Sequence, residues 1–381
     1  MSRRVVLLGT GHAHLFTLKR ARAFAQAGHE LVAVAPEPFW YSGLATGMLG
    51  GTYPPELDRI DIAGLMGDHG RFVRDRATGI DRANRLVHLQ DGPPLRYDLL
   101  SVNLGSVAPT IPGAGACHAV KPIPRLLDLR LELEARLGRG EQVRVAVAGG
   151  GTTGVELAGN IEGLARRHNS RVAVTLLASG GRILERLPAG MAEGVAASLE
   201  RRGIKIRTHS RVKRVENGTA LLEGGGREPF DLFVNAGGLL PAPEIRRLGL
   251  PVDGSGALRV DRHLRSLADP AMFGGGDAVC VDGHDLPKVG VYAIRQAPVL
   301  FHNLLATLAG ESLRAFIPQR RYLWIMNLGD GTGLAAWNGF WWQGRAAFWL
   351  KDRIDRSFLD SYRAGSPASS RTRATDSSAT S

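Results

Sequence analysis

Residues Val143 to Gly154 read Val-Arg-Val-Ala-Val-Ala-Gly-Gly-Gly-Thr-Thr-Gly. The first six are mostly short and apolar, as expected of a buried strand. The last six carry Gly149, Gly151 and Gly154 at the spacing of a dinucleotide-binding turn. Val155 to about His168 continues as a helix, and Val172 to Leu177 is a second strand. Strand, glycine turn, helix and strand in that order make a βαβ unit. The glycines let the backbone approach a pyrophosphate closely, while free N–H groups at the helix start face its negative charge. Ala158 is small enough for close helix packing.

The same succession opens the chain. Val5 to Leu8 is an apolar run that ends at Gly9-Thr10-Gly11. A helix is expected from His12 to about Ala27, stopped by Gly28, and a strand from Leu31 to Ala35. This copy is degenerate, because His14 stands at the third glycine position. His12 and His14 also read simply as residues at the start of a helix. Glu37, just past the second strand, is the candidate acceptor for ribose hydroxyls. The duplication within one chain says more than either copy alone.

Short strands are expected at Arg71–Val73, Gly79–Asp81, Leu86–Leu89 and Tyr97–Asn103. A hairpin is expected between Lys205 and Phe233, with Glu216-Asn217-Gly218 among its turns. A third glycine cluster, Gly274-Gly275-Gly276-Asp277, ends another small-residue strand. Residues 364–381, rich in Ser, Thr and Ala, are expected to form a disordered tail.

Composition bounds the rest. The 381 residues are 44% hydrophobic and 22% charged, which suits two compact domains. Lys and Arg number 48 against 36 acids, a net charge of +12, spread along the chain rather than gathered in a run. Such a surface favours anionic nucleotides or lipid; the plainer reading is a general bias toward Arg. Nothing resembles a nucleic-acid motif or a metal-ligand cluster. Two cysteines, Cys117 and Cys280, make no disulfide framework. With neither a leader nor a spanning apolar segment in evidence, a cytoplasmic location is expected.

The order of these elements resembles the pyridine nucleotide–disulfide oxidoreductase superfamily, with the resemblance running over about residues 3 to 363. Gly149 to Gly159 (GGGTTGVELAG) is similar to type II NADH dehydrogenases. The stretches GTGHAHL from Gly9, PEPFWYSGLATGMLGG from Pro36 and VGVYAIRQAPVL from Val289 resemble a subgroup that includes the flavoprotein domain sometimes fused to selenophosphate synthase. So do RYLWIMNLGDG from Arg321 and LKDRIDRSF from Leu350.

The resemblance implies an α/β fold with two Rossmann-like domains. An FAD domain, residues 1–112 and 241–315, is interrupted by a NAD(P) domain, residues 113–240. A C-terminal interface region, 316–363, follows. It implies FAD along Gly9, Gly11, His12, Glu37, Ala77, Gly105, Gly276 and Asp277, with the Asp277 carboxylate on ribityl hydroxyls. It implies a nicotinamide nucleotide at Gly149, Gly151, Gly154 and Glu156, and it sets Lys288 and Gln296 near the flavin ring as the candidate catalytic residues. Besides His14 in place of a glycine, three places depart from the pattern. Pro36 holds the usual ribose-acid position, Asn103-Leu104-Gly105 replaces Ala-Thr-Gly, and Ala178 stands where users of NAD carry an acid. With Arg182 close to Ala178, NADP or weak discrimination is expected, unless specificity is set elsewhere.

The activity implied is hydride transfer from NAD(P)H to FAD and electron transfer to an acceptor, a quinone above all. Two alternatives stand. One is a sulfide:quinone-type oxidoreductase, for which Cys117 and Cys280 are the only candidate thiols. The other is an accessory flavoprotein of selenium metabolism with little turnover. Trp337, Phe340, Trp341, Trp342, Phe348 and Trp349, beside Arg345, Lys351 and Arg353, suit peripheral contact with the inner face of a membrane. A packing platform or a homodimer interface is the competing reading of those aromatics.

Overall fold

The computed structural model describes residues 1–115, 117–319 and 321–363; the expected tail, residues 364–381, lies outside the described residues. Two five-stranded parallel sheets organise the chain. In the first, the strands run in the order Met272–Gly274, Leu99–Val102, Arg4–Leu8, Glu30–Val34 and Arg71–Val73. In the second, the order is His118–Ala119, Leu232–Asn235, Val143–Ala148, Val172–Leu177 and Lys205–Arg207. Central strands of such sheets are covered on both faces and so read as unbroken apolar runs. Val5, Val6, Leu7 and Leu8 are all fully buried.

Each glycine turn sits at the carboxyl end of a central strand. In both sheets the chain goes to one neighbour first and to the other side later. That reversal leaves a crevice above the strand ends, where ligands of this architecture bind. The helix after the second turn, Thr152–Arg167, matches the expected span within a few residues. The helix after the first turn does not. It breaks into His12–Leu18 and Ala21–Gln26, with Arg20 out of helical geometry at φ −110°, ψ 25°. The break coincides with one local contact and one tertiary contact. The Arg20 guanidinium lies 3.5 Å from the Phe16 ring centroid, and the Lys19 ammonium donates to the Ser361 carbonyl on the C-terminal helix. Helical periodicity could not report the second, with a residue so far along the chain.

The hairpin expected near Asn217 forms between Val212–Glu216 and Thr219–Leu222. Asn217 and Gly218 both take positive φ, 46° and 68°, as a two-residue I′ turn demands. The C-terminal region is a three-stranded antiparallel sheet, Trp324–Asn327, Gly333–Trp337 and Phe340–Gly344, followed by the helix Arg345–Ser361. This region seats on Thr152–Arg167. A side chain at Gly159 would collide with the Leu328 carbonyl, so the two backbones meet there directly. Gly290–Ala309, a long helix, packs along His12–Leu18 and closes the first domain.

Candidate functional site

A cleft of about 590 Å³ runs across the carboxyl ends of the first sheet. Gly9, Gly11, His12, Glu37, Gly105, Gly276, Asp277 and Lys288 line it. Eight residues named from the sequence as flavin or ring contacts therefore converge. Two others do not reach it. Ala77 is half-buried on its strand and leaves the wall to its neighbour Arg76. Gln296, buried at 2% exposure, stands behind the wall, where its Oε1 accepts from the Gly276 N–H at 2.6 Å. Its place in the structure is that of a support for the Gly276 turn.

The first glycine turn is built around His14. Its Nδ1 lies 2.6 Å from the Gly9 carbonyl and its Nε2 lies 2.8 Å from Ser101 Oγ. Only an N–H can meet the carbonyl, so Nδ1 donates and Nε2 accepts from the serine hydroxyl. Burial pushes the ring's pKa down to about 4, against the raising effect of the Gly9 carbonyl, and the imidazole is neutral at ordinary pH. His12, at the mouth of the cleft, is also pushed down to about 4, first by burial and then by the charge of Lys121. Its ring meets Phe39 edge-on at 4.9 Å.

In the same cleft Asp277 is held by two groups the sequence did not single out. Its Oδ2 accepts from Ser106 Oγ at 2.5 Å and from Lys121 Nζ at 2.8 Å. Burial works against its charge, yet Lys121 and the Ser106 hydroxyl hold its carboxyl below the usual range. Lys288 Nζ donates to the Asp277 carbonyl at 2.7 Å. Lys121 lies in the segment joining the two domains, and no motif marks it.

These residues fit a dinucleotide. Asn103 is 4% exposed and lines the cleft, and its side-chain nitrogen has no hydrogen-bond partner. That amide sits between the two glycine loops: a side chain at Gly11 would come 2.9 Å from it, and one at Gly276 would come 2.8 Å from its Oδ1. An unpaired buried donor is costly unless a ligand meets it. In the second domain Gly151 takes φ −80°, open to any residue, and a side chain there would meet nothing within 4 Å. Neither backbone nor packing requires that glycine, and the space over it is open. Gly149, at φ 129°, and Gly154 are needed by the turn itself, since side chains there would collide with backbone carbonyls.

A family model described as pyridine nucleotide-disulphide oxidoreductase matches residues 3–297. The chain belongs to this family. Demethylphylloquinone reductase of Synechocystis is 27% identical over 337 residues, covering 81% of each chain. A probable ferredoxin reductase of Castellaniella defragrans is 27% identical over 288 residues, covering 73% of this chain and 68% of its own. Among solved structures, NDH2 of Plasmodium falciparum in complex with NADH aligns with a TM-score of 0.79 at 16% identity, over 96% of this chain and 99% of that one. The protein is an FAD-dependent oxidoreductase of this family that uses NAD(P)H.

The two domains of this oxidoreductase meet at Glu156. It lies in the helix after the second glycine turn, and with Thr153 it lines the cleft of the first domain. Its Oε1 accepts from the Asn327 N–H at 2.6 Å. Burial pushes its pKa up to about 7, while Lys351 and the Asn327 hydrogen bond pull the other way. Lys351 is buried too. It donates to the Gly43 carbonyl at 2.5 Å and to Asp355 Oδ2 at 2.6 Å, while Asp355 Oδ1 accepts from Tyr41 at 2.8 Å. Burial opposes the Lys351 charge, but Asp355 and Glu156 outweigh it and raise its pKa. Asp58, fully buried with both oxygens unpartnered, is pushed up to about 8 by burial and by Asp355. It therefore carries a proton at neutral pH. None of Tyr41, Asp58 or Asp355 was marked as part of a site by sequence, and Lys351 was marked only as part of a basic-aromatic surface.

The C-terminal aromatics divide. Trp337, Phe340, Trp341, Trp342 and Trp349 are exposed, from 37% for Trp342 to 76% for Phe340. Phe348 packs against the core, and the Lys351 side chain is only 12% exposed, so both leave the proposed basic-aromatic surface. No helix among the described residues is long and apolar enough to cross a membrane.

Proposed function

We propose that this oxidoreductase passes electrons from NAD(P)H to a quinone. The observation that carries the reading is the C-terminal helix Arg345–Ser361. One side of it sets Lys351 and Asp355 against Glu156 at the cleft, while the helix packs on the hairpin of exposed aromatics and itself carries the exposed Trp349. An apolar, membrane-dissolved acceptor would meet the protein on such a surface. Bound FAD supplies the chemistry, taking up a hydride and releasing electrons singly or in pairs.

The chain's residues do the remaining work. Asn103 and Asp277 hold the cofactor, and His14 fixes the loop that approaches its pyrophosphate. Quinone reduction to quinol takes up two electrons and two protons. Glu156, with a pKa near neutrality, gives or receives a proton at the cleft, and Lys351 and Asp355 set its charge. The aromatic hairpin makes peripheral contact with lipid. A sulfide-oxidising reading is less well supported. It needs thiolates, and burial raises the pKa of both Cys117 and Cys280.

The test is anaerobic. The flavin of the purified protein is bleached with NADH or NADPH, and its recovery is followed on adding a short-chain quinone or, separately, an oxidised ferredoxin. Rapid recovery with quinone supports the reading; recovery with ferredoxin alone overturns it. The Glu156 assignment predicts that the quinone-step rate changes across roughly pH 6–8. Glu156→Gln should flatten that profile while the protein keeps its FAD. Phe340→Glu with Trp341→Glu should abolish cosedimentation with anionic liposomes, and unaltered cosedimentation would remove the hairpin from the membrane contact.

A further inference from the structure

The strand Val172–Leu177 runs out into Ala178-Ser179-Gly180, with no acid to accept from the adenosine ribose of a nicotinamide nucleotide. Arg182 stands close by in sequence, which left a 2′-phosphate acceptable. In the folded loop Arg182 is turned to another use. Arg182 is spent on the main chain: Nη1 donates to the carbonyls of Ile183 at 3.4 Å and Leu184 at 2.9 Å, and Nη2 to those of Glu185 at 2.9 Å and Leu187 at 2.7 Å. It works as a staple for its own loop.

That loop is tied to the second glycine turn, because the Leu184 N–H donates to the Gly150 carbonyl at 2.7 Å. Glu185 comes next, and its carboxylate folds back over the strand end. Oε1 accepts from the Gly181 N–H at 2.9 Å, and any side chain at Gly180 would collide with the carboxylate. Oε2 has no protein donor among the described residues, and Glu185 is exposed to solvent. An acid is thus present at the strand end after all. It arrives from the following loop rather than from position 178.

We infer that Glu185 is the ribose acceptor for the nicotinamide nucleotide and that it sets a preference for NADH over NADPH. The inference rests on the reading that this nucleotide lies over Gly151. A carboxylate there accepts from the 2′- and 3′-hydroxyls. A 2′-phosphate would bring negative charge onto that carboxylate, and the Arg182 guanidinium is already engaged with four carbonyls.

The experiment is calorimetric binding of NAD⁺ and NADP⁺ to the FAD-loaded protein, where no turnover intervenes. The wild type should bind NAD⁺ about tenfold tighter than NADP⁺, or better. Glu185→Gln should narrow that ratio, and Glu185→Arg should make NADP⁺ the equal or better ligand. Both variants should keep FAD and their melting temperature, because the side chain is exposed. An unchanged ratio in both variants, or a wild type that binds NADP⁺ as well as NAD⁺, overturns the assignment of Glu185. A wild type with full FAD that binds neither nucleotide would bring down the placement over Gly151 itself, and this inference with it.

Discussion

The two glycine turns perform one task with different parts. In the second, Gly154 lets helix and turn touch backbone to backbone, and even a methyl group would strike the Gly149 carbonyl. In the first, the matching position carries His14, whose ring stands between the turn and the neighbouring strand and bonds to both. Where the second turn closes by omitting a side chain, the first closes by filling the space with one whose two nitrogens are both satisfied. A motif written as three glycines therefore describes a geometry that a buried, neutral imidazole can also support.

The largest effect should come from breaking the tighter turn. Gly154→Ala forces a Cβ into backbone that has no flexible side chain to yield, and it should cost about 3 kcal/mol or more. Urea unfolding would measure the loss, with nicotinamide binding lost alongside it. A variant of wild-type stability would show that the turn can relax, and the contrast with His14 would lose its basis.

His14→Ala should come next, at about 2–4 kcal/mol, since it opens a cavity and strands the Gly9 carbonyl and the Ser101 hydroxyl. FAD occupancy, read from visible absorbance, should fall while nicotinamide binding survives. Restoring the motif with His14→Gly should not rescue the protein. A glycine there would leave the same cavity, and rescue would mean that the histidine is incidental.

The imidazole also makes the first turn sensitive to acid. Unfolded histidine binds a proton below about pH 6.5, whereas folded His14 holds out to about 4. At His14 the unfolded state thus binds more protons between those values, so this residue's contribution to stability falls as pH drops from about 6.5 toward 4, against the opposite slope of Asp58 and Glu156 with their raised pKa values. His12, pushed down to about 4 as well, adds to the His14 slope. His14→Gln should remove this component, so that the variant loses less stability toward acid, or gains more, than the wild type. An equal slope in variant and wild type would refute a neutral buried His14.

The smallest change in stability belongs to Gly151→Val, within about 0.5 kcal/mol, because the added atoms enter open space at an ordinary φ. Flavin reduction by NAD(P)H should nonetheless be blocked, with FAD retained on its own turn. Wild-type reduction rates would mean that no nucleotide approaches over Gly151.

By itself the sequence determined what depends on neighbours along the chain. Glycines at Gly149, Gly151 and Gly154, an apolar strand before them and a helix after them specify a local path, and the duplicated path carries the fold. Asp277 was legible for the same reason, standing at the end of a small-residue strand. Tertiary structure decided what depends on convergence. Lys121 reaches Asp277 from the segment between domains, Lys351 and Asp355 reach Glu156 from the last helix, and Glu185 supplies the acid that position 178 lacks. Spacing cannot report such meetings, because each is fixed by how sheets and helices dock rather than by residues adjacent in sequence. The break at Lys19–Arg20 and the imidazole at His14 belong to the same class: each coincides with a partner that only the folded chain brings near.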